Sequence, residues 1–368
     1  MANQHPDIPV LDVSGSSAEL GAAHGEAQRE RIHATVDRYV DWICSGSALA
    51  ITEEELWSKW APQLAFNEQV APDIVEEMRS IARGANLPFK RIFLLNSMLD
   101  LVSFRYLPMA QNFGCTTFAS VKAPGGGGTL IGQTYDMPKL LEESLLLLRL
   151  QPASGPRQLV FTFAGIVGCC GFNDAGIGLT INYLSPLDLG VGRLHSINIR
   201  QILAAENLSD ALNSPAVPPR AGGTHFLVAD RDGTVVSMET TGQRFETFVP
   251  DGLSIGHTNH YLSGYLKETE FVRDGSIGSS LARYAALRRF IADQPELDLE
   301  SLKELTRNHT SFPRSICAHP RQDDPAGDDS GAGFVACTLA AIIHDLDAQT
   351  MHITNGCACE NDYHAVKL

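Results

Sequence analysis

Basic charge is scarce in this chain. Its 368 residues include 28 Lys and Arg against 43 Asp and Glu, which gives a formal net charge of −15 at pH 7. Nonspecific binding to nucleic acid or to an anionic membrane requires a basic surface. We therefore expect neither nucleic acid nor a membrane among the partners of the protein.

Long hydrophobic runs are absent as well. Hydrophobic residues form 44% of the sequence, a normal fraction for a globular protein, but no stretch approaches the roughly 20 apolar residues that span a bilayer. The first seven residues contain neither the basic nor the apolar region of a secretory signal. These absences predict a soluble, cytoplasmic protein.

The cysteines lack the C-x-x-C spacing that is typical of a tetrahedral zinc site. Eight are present, at positions 44, 115, 169, 170, 317, 337, 357 and 359. The close pairs, Cys169 with Cys170 and Cys357 with Cys359, could indicate a metal, but a cysteine in a cytoplasmic protein is more often a buried thiol. We therefore expect no metal site and no cofactor.

The sequence pattern changes after Gly114. Upstream, capping boxes that begin at Ser16 and Thr52, together with apolar residues at helical spacing, predict helices over about the first 95 residues. Downstream, short runs rich in Val, Ile, Phe and Thr alternate with Gly, Asn and Asp, which predicts strands. We expect strands at 115–121, 129–136, 144–151, 158–163, 176–183, 225–230, 234–239, 253–258, 334–344 and 349–354, and helices near 195–206, 277–292 and 299–308. Together these elements predict an α+β fold.

The first two predicted strands flank Pro124 and four consecutive glycines, which is a strong turn signal. A hairpin centred between Gly125 and Gly126 places Cys115 opposite Asp136. Directly opposed side chains in such a pair have Cβ atoms about 4.5–5.5 Å apart. The pattern therefore predicts a cysteine beside a carboxylate.

Several short motifs surround this hairpin and continue along the chain. They are Gly21-Ala22-Ala23-His24-Gly25, Asn112-Phe113-Gly114-Cys115-Thr116-Thr117, Gly132-Gln133-Thr134-Tyr135-Asp136, Gly171-Phe172-Asn173-Asp174-Ala175-Gly176, Thr258-Asn259-His260-Tyr261 and Cys359-Glu360-Asn361. In order and spacing they resemble the acyl-coenzyme A:6-aminopenicillanic acid acyltransferase (isopenicillin N acyltransferase) family, a branch of the N-terminal nucleophile (Ntn) hydrolases. The resemblance implies a four-layer αββα sandwich. It also implies self-cleavage into a helical segment, residues 1–114, and a catalytic domain, residues 115–368, which remain associated as a heterodimer.

The chemistry expected of Cys115 follows from its residue type. The thiolate is the attacking species, and free cysteine is mainly thiol at neutral pH. If the peptide bond before Cys115 is broken, its new α-amino group has a pKa of about 7.7–8.0, which suits a general base. Gly114 has no Cβ and tolerates an unusual backbone conformation that exposes its carbonyl to the thiol. One residue then supplies both the nucleophile and the base.

The resemblance also implies roles for other residues. Asp136 orients the amine and thiol of Cys115, Asn259 donates to the oxyanion, and Arg283 supports the charged centre. The pocket is lined by Thr116, Asn173 and Arg314. Structural roles remain as alternatives, namely a turn-ending aspartate, a strand-end asparagine and an exposed helix arginine. Where the family pattern has arginine this sequence has Ala318, which argues against carrying over the penicillin substrate.

Three functions are consistent with these features. The first is hydrolysis of a small N-acyl or aminoacyl amide through a Cys115 thioester, since water is always available to resolve the thioester. The second is N-acyl transfer from an acyl-coenzyme A, which requires a pocket that favours an amine over water. The third is a protein that does not process itself and whose Cys115 is buried and inert, or is paired with a distant histidine as in papain. His24, His225, His257 and His260 are available for such a pair.

Overall fold

Most helices and strands follow the order expected from the sequence. The computed structural model describes residues 8–45, 50–104, 114–121, 128–272, 277–294, 296–320 and 335–368. The α-helices are α1 (Ser17–Ala27), α2 (Arg29–Ser45), α3 (Glu53–Val70), α4 (Pro72–Ala85), α5 (Phe89–Asn96), α6 (Met98–Phe104), α7 (His195–Leu203), α8 (Leu208–Ala216), α9 (Gly278–Asp293) and α10 (Leu299–Leu305). The strands are β1 (Val10–Gly15), β2 (Cys115–Val121), β3 (Thr129–Pro138), β4 (Leu145–Pro152), β5 (Gln158–Phe163), β6 (Cys170–Asn173), β7 (Ile177–Leu184), β8 (Gly223–Asp230), β9 (Val235–Thr240), β10 (Phe245–Phe248), β11 (Ser254–His257), β12 (Ala336–Asp345), β13 (Thr350–Ile353) and β14 (His364–Lys367).

The strands form two sheets. The first has the order β1-β4-β5-β6-β7-β8-β9-β10, and the second has the order β11-β2-β3-β12-β13-β14. Neighbours in the first sheet are antiparallel except that β1 pairs with β4 in parallel. All pairs of the second sheet are antiparallel.

The two faces of the second sheet pack against two different hydrophobic cores. Ala119 and Ile131 point to the main core that the two sheets share, whereas their neighbours Phe118 and Leu130 pack with Leu287 of α9 on the other face. Successive strand residues face opposite sides, so both faces of this sheet are covered. Helices α7 and α8 cover the first sheet at β6, β7 and β8. The predicted α+β, four-layer αββα arrangement is confirmed.

The N-terminal helices are closely packed. Both predicted capping boxes form, with Ser16 and Thr52 each accepting from the backbone three residues later. Helix α1 crosses α4 with its glycines in contact with backbone: a Cβ on Gly21 would lie 2.2 Å from the Glu77 carbonyl, and one on Gly25 would lie 2.3 Å from that of Ile81. The Gly21–Gly25 motif therefore forms a helix crossing.

Some elements were not predicted. The expectation of helix alone over the first ~95 residues is wrong at β1, and β6, β10, β14 and α8 were also missed. Most of these strands have four residues, and β1 is stabilised by pairing with β4, more than a hundred residues away. Local periodicity does not detect such pairing. Among the described residues, no helix is both long and apolar enough to cross a membrane.

Candidate active site

Cys115 is the first residue of β2 and is 6% exposed. The hairpin between β2 and β3 forms, but Cys115 pairs with Tyr135 and not with Asp136. The predicted register is therefore wrong by one residue, because a run of glycines allows either spacing of the turn. Residues 122–127 of that turn lie outside the described residues. Asp136 is nevertheless close to Cys115, since its charge raises the pKa of the Cys115 thiol and its backbone N–H lowers it.

Asn259 lies in the segment that follows β11. Its Oδ1 accepts the backbone N–H of Cys115 at 2.8 Å, and its Nδ2 donates to the carbonyl of Tyr183 at 3.0 Å. The hydroxyl of Ser280 accepts the backbone N–H of Asn259 at 2.8 Å. Because Ser280 belongs to the first turn of α9, the start of this helix fixes the position of Asn259.

Arg283 is on the next turn of α9 and is 2% exposed, so it is not the surface arginine of the structural alternative. Its Nη1 donates to the Cys115 carbonyl at 2.7 Å and to the Thr116 hydroxyl at 3.0 Å. Its Nη2 donates to Asn259 Oδ1 at 2.9 Å. The planar guanidinium of Arg283 therefore binds both the carbonyl of Cys115 and the Asn259 oxygen that accepts from the Cys115 nitrogen.

Asp136 is 1% exposed, and its Oδ1 accepts a hydrogen bond from the Thr338 hydroxyl at 2.6 Å. Its Oδ2 is buried and has no hydrogen-bond partner among the described residues. Burial raises the pKa of this carboxyl to about 7, although Arg283, Thr338 and Arg314 oppose the rise. Burial and the Asp136 charge also raise the pKa of the Cys115 thiol to about 12. A carboxyl that titrates near neutrality therefore lies beside a thiol that stays protonated.

Gly114 is buried beside the Asp136 carboxylate and the Arg283 guanidinium. A Cβ at this position would lie 3.0 Å from Asp136 Oδ2 and 3.1 Å from Arg283 Nη2. These distances are closer than ordinary van der Waals contact. Any residue with a Cβ at this position would therefore displace the carboxylate or the guanidinium, whereas glycine does not.

Asn182 is a site residue that the sequence reasoning missed. It lies in β7, fully buried, and its Nδ2 donates to the Cys115 carbonyl at 2.8 Å. Its Oδ1 accepts from the Thr117 hydroxyl at 2.8 Å and from His225 Nδ1 at 2.7 Å. An amide side chain within a mostly apolar, buried strand was the available signal. It shows that both sheets contribute to the position of Cys115.

Of the three residues expected to line the pocket, two lie near Cys115 or Asp136 and one lies elsewhere. Thr116 accepts from Arg283, and Arg314 is close enough to lower the pKa of Asp136. Asn173 is not brought to the site: its Nδ2 donates to the carbonyls of Leu203 and Ala205, and its Oδ1 accepts from Ile177 N. Its amide stabilises the turn between β6 and β7 and the end of α7.

The four histidines considered for a papain-like pair form hydrogen bonds with residues other than Cys115. His24 accepts from the backbone of Gly165 at 3.1 Å, His257 contacts Glu239 at 2.7 Å, and His260 contacts Ser280 at 2.8 Å. His225 approaches Cys115 only through Asn182. Within the described ranges, no hydrogen bond joins a histidine to Cys115. Cys115 also begins a strand, unlike the helix-start cysteine of papain.

Known proteins that are similar to this chain include the following three. The chain is 25% identical over 305 residues to the 40 kDa form of acyl-coenzyme A:6-aminopenicillanic-acid-acyltransferase from Emericella nidulans, and the match covers 82% of each chain. Two solved structures are more distant. Penicillin V acylase from Agrobacterium tumefaciens has 9% identity and a TM-score of 0.44, covering 69% of this chain and 86% of its own. A C2A mutant of conjugated bile acid hydrolase from Clostridium perfringens has 11% identity and a TM-score of 0.40, covering 69% and 97%.

The family model described as acyl-coenzyme A:6-aminopenicillanic acid acyl-transferase matches residues 123–328. This range is more than half of the chain, and it contains Asp136, Asn259 and Arg283. The chain belongs to the acyl-coenzyme A:6-aminopenicillanic acid acyl-transferase family.

Proposed function

We propose that this protein cleaves its own chain before Cys115 and then uses Cys115 to hydrolyse a small N-acyl or aminoacyl amide. The observation that carries the proposal is the hydrogen bond between Cys115 N and Asn259 Oδ1. It binds the nitrogen that becomes the α-amino group when the preceding peptide bond breaks. Membership of an acyltransferase family supports an enzyme that forms an acyl intermediate.

The first step requires the Cys115 thiol to lose its proton. Its pKa of about 12 keeps it protonated in the uncleaved chain. The pKa of Asp136, about 7, makes its carboxylate a base available near neutral pH. Asp136 Oδ2 lies beside Gly114 and has no described partner to compete for the proton.

The thiolate then attacks the Gly114 carbonyl. The new C–S bond and the broken C–N bond give a thioester, and the proton held by Asp136 passes to the departing nitrogen of Cys115. Water hydrolyses the thioester, which releases the Gly114 carboxylate and restores the thiol. The products are residues 1–114 and 115–368.

The released amine is the base for turnover. Asn259 Oδ1 remains positioned to accept a hydrogen bond from this amine, and the amine can take the proton of the neighbouring thiol. The thiolate attacks the substrate carbonyl, and Asn259 Nδ2 can offer its second hydrogen to the oxyanion. The substrate amine leaves with the proton that the α-amino group took from the thiol. Water then hydrolyses the thioester, which releases the acid and restores the thiol.

Buried contacts support continued association of the two products as a heterodimer. Strand β1 pairs with β4 along its whole length. Asp100 contacts His195 at 2.8 Å and Glu77 contacts Arg200 at 2.9 Å, with all four side chains buried. Separation would also expose the apolar core that residues on both sides of Cys115 share, such as Ile32 and Leu146, which is strongly unfavourable.

Acyl transfer from an acyl-coenzyme A is the second candidate, and the Emericella nidulans relative favours it. The two reactions share the acyl-enzyme and differ in whether water or an amine attacks it. A panel of N-acyl amides and acyl thioesters, each with and without amine acceptors, distinguishes them. Hydrolysis yields the free acid under all conditions, whereas transfer yields a new amide.

Intact-mass measurement of purified protein tests self-cleavage. Wild type should give two chains that divide between Gly114 and Cys115, and Cys115→Ala should stay intact. Cys44→Ala, at a half-buried cysteine of α2, is the matched control and should divide normally. An undivided wild-type chain with full amidase activity would contradict the proposal.

A further inference from the structure

A second group of sulfur and nitrogen side chains lies apart from Cys115. His309, Cys317 and His319 belong to the segment after α10, and Cys359 belongs to the segment after β13. Their ligand atoms all lie within 4.8 Å of one another. The group extends from the buried Cys317 to the surface at His309.

Four of the six distances within the group are close to those of a tetrahedron. Metal bonds of about 2.3 Å to sulfur and 2.0–2.1 Å to nitrogen place tetrahedral ligands about 3.8 Å apart for two sulfurs, 3.6 Å for sulfur and nitrogen, and 3.3 Å for two nitrogens. Cys317 Sγ lies 3.6 Å from Cys359 Sγ and 3.6 Å from His319 Nε2. His319 Nε2 lies 3.2 Å from Cys359 Sγ and 3.2 Å from His309 Nε2. Each distance is within about 0.4 Å of the tetrahedral value.

Two other arrangements fit less well. A disulfide requires about 2.05 Å between sulfurs, whereas Cys317 and Cys359 are separated by 3.6 Å. A two-iron cluster with two cysteines and two histidines binds the histidines on a different iron from the cysteines. Here His319 Nε2 is near both sulfurs as well as His309 Nε2, so the group is not divided into a cysteine pair and a histidine pair.

We propose that His309, Cys317, His319 and Cys359 form a Cys2His2 site for one Zn²⁺ ion. A tetrahedral S2N2 set is typical of zinc, which binds thiolate and imidazole together. Four protein ligands leave no open position, so the site is structural and takes no direct part in catalysis. The expectation of no metal was drawn from C-x-x-C spacing, whereas Cys317 and Cys359 are brought together only by the fold.

Neighbouring groups hold the ligands in this arrangement. The Ser315 hydroxyl donates to the Cys317 carbonyl at 2.6 Å, and Cys317 N donates to the Asn308 carbonyl at 3.1 Å. A Glu360 carboxylate oxygen lies 3.6 Å from His319 Nδ1, the ring nitrogen that faces away from the other ligands. This distance is longer than a hydrogen bond, so Glu360 is near His319 without fixing its ring.

The proposed site is connected to Asp136 through one residue. Ala318, between two ligands, accepts from Thr338 N at 3.0 Å and donates to Thr338 Oγ1 at 2.9 Å. The same hydroxyl donates to Asp136 Oδ1 at 2.6 Å. Zinc therefore fixes the backbone that orients the Thr338 hydroxyl toward the carboxylate.

Metal analysis of the full-length protein tests the proposal directly. Protein isolated under reducing conditions, supplied with Zn²⁺ and desalted, should hold about one equivalent of zinc. Cys359→Ser and His309→Asn should lose most of it. The matched controls, Cys44→Ser and the exposed His364→Asn, should retain it.

Cobalt gives a second readout that does not depend on activity. Co²⁺ in place of zinc should give the intense visible absorption of a tetrahedral ion and a thiolate charge-transfer band in the near ultraviolet, and this band should weaken in Cys359→Ser. Removal of zinc by a chelator should lower the melting temperature of wild type more than that of His309→Asn. A wild type that holds no zinc, ligand variants that hold as much as the controls, or a Cys317–Cys359 disulfide in freshly isolated protein would overturn the proposal.

Discussion

The side-chain oxygen of Asn259 accepts the backbone N–H of Cys115 at 2.8 Å. The same oxygen accepts from Arg283 at 2.9 Å, so it faces two donors and the amide orientation is determined. Asn259 Nδ2 then faces the carbonyl of Tyr183 and retains a second hydrogen. One side chain can thus bind the nitrogen of Cys115 as an acceptor and an oxyanion as a donor.

Asn259→Asp separates these two roles. The carboxylate still accepts from Cys115 and Arg283, but it has no N–H to donate. We expect self-cleavage to continue and kcat for amide substrates to fall by about 10²–10³, which is typical for the loss of one oxyanion donor. The measurements are intact mass and steady-state kinetics, with Asn213→Asp on the exposed face of α8 as the control. Unchanged kcat would exclude Asn259 as the donor.

Asp136→Asn should stabilise the folded chain above neutral pH. Because the folded pKa of Asp136 is raised from 3.8 to about 7, the folded state keeps a proton that the unfolded state loses, and stability falls as pH rises from about 4 to 7. Three pKa units correspond to about 4 kcal/mol at pH 8. Thermal unfolding should be compared in a Cys115→Ala background, so that all chains remain uncleaved.

The control for this comparison is Asp298, whose pKa is shifted in the opposite direction from that of Asp136. Asp298 caps α10, and hydrogen bonds from Ser301 lower its pKa. It therefore contributes stability above the unfolded pKa and loses it as pH falls. Asp298→Asn should not raise the melting temperature at pH 8. An Asp136→Asn melting temperature below that of its parent at pH 8 would mean that the buried carboxylate is not destabilising.

Thr338→Val should shift the pH dependence of self-cleavage upward. The Thr338 hydroxyl lowers the pKa of Asp136, so its removal should raise that pKa further above about 7. If the Asp136 carboxylate is the base, the half-maximal rate should move upward by about one pH unit. Precursor isolated at pH 5 can be transferred to each test pH and its cleavage followed by gel. Thr338→Ser keeps the hydroxyl and should match wild type.

The elements of the core were largely predictable from the sequence. Strands β2 and β5 have the predicted bounds because Val, Phe and Thr runs end at clear turn signals. The register between β2 and β3 was not predictable, because a glycine-rich turn gives little preference between pairings that differ by one residue. One residue of error decides which side chain faces Cys115.

The position of a site residue was predictable where it follows a motif and was not where it depends on the fold. Asn259 and Arg283, which the family resemblance named, both contact Cys115, and their roles stay predictions. Asn182 comes from the other sheet, and only the packing of the two sheets brings it to the Cys115 carbonyl. Asn173 has a similar local sequence signal but serves a turn.

Gly114→Ala should slow self-cleavage without unfolding the protein. A Cβ at this position lies 3.0 Å from Asp136 Oδ2 and 3.1 Å from Arg283 Nη2, so both charged groups must move by a few tenths of an ångström. Small displacements of reacting groups can lower rates about 10²-fold. The rate can be followed by gel from freshly synthesised precursor, and the melting temperature reports folding. Gly264→Ala is the matched control, because its Cβ would meet nothing within 4 Å. Cleavage of Gly114→Ala at the wild-type rate would show that this contact does not position the Asp136 carboxylate for attack.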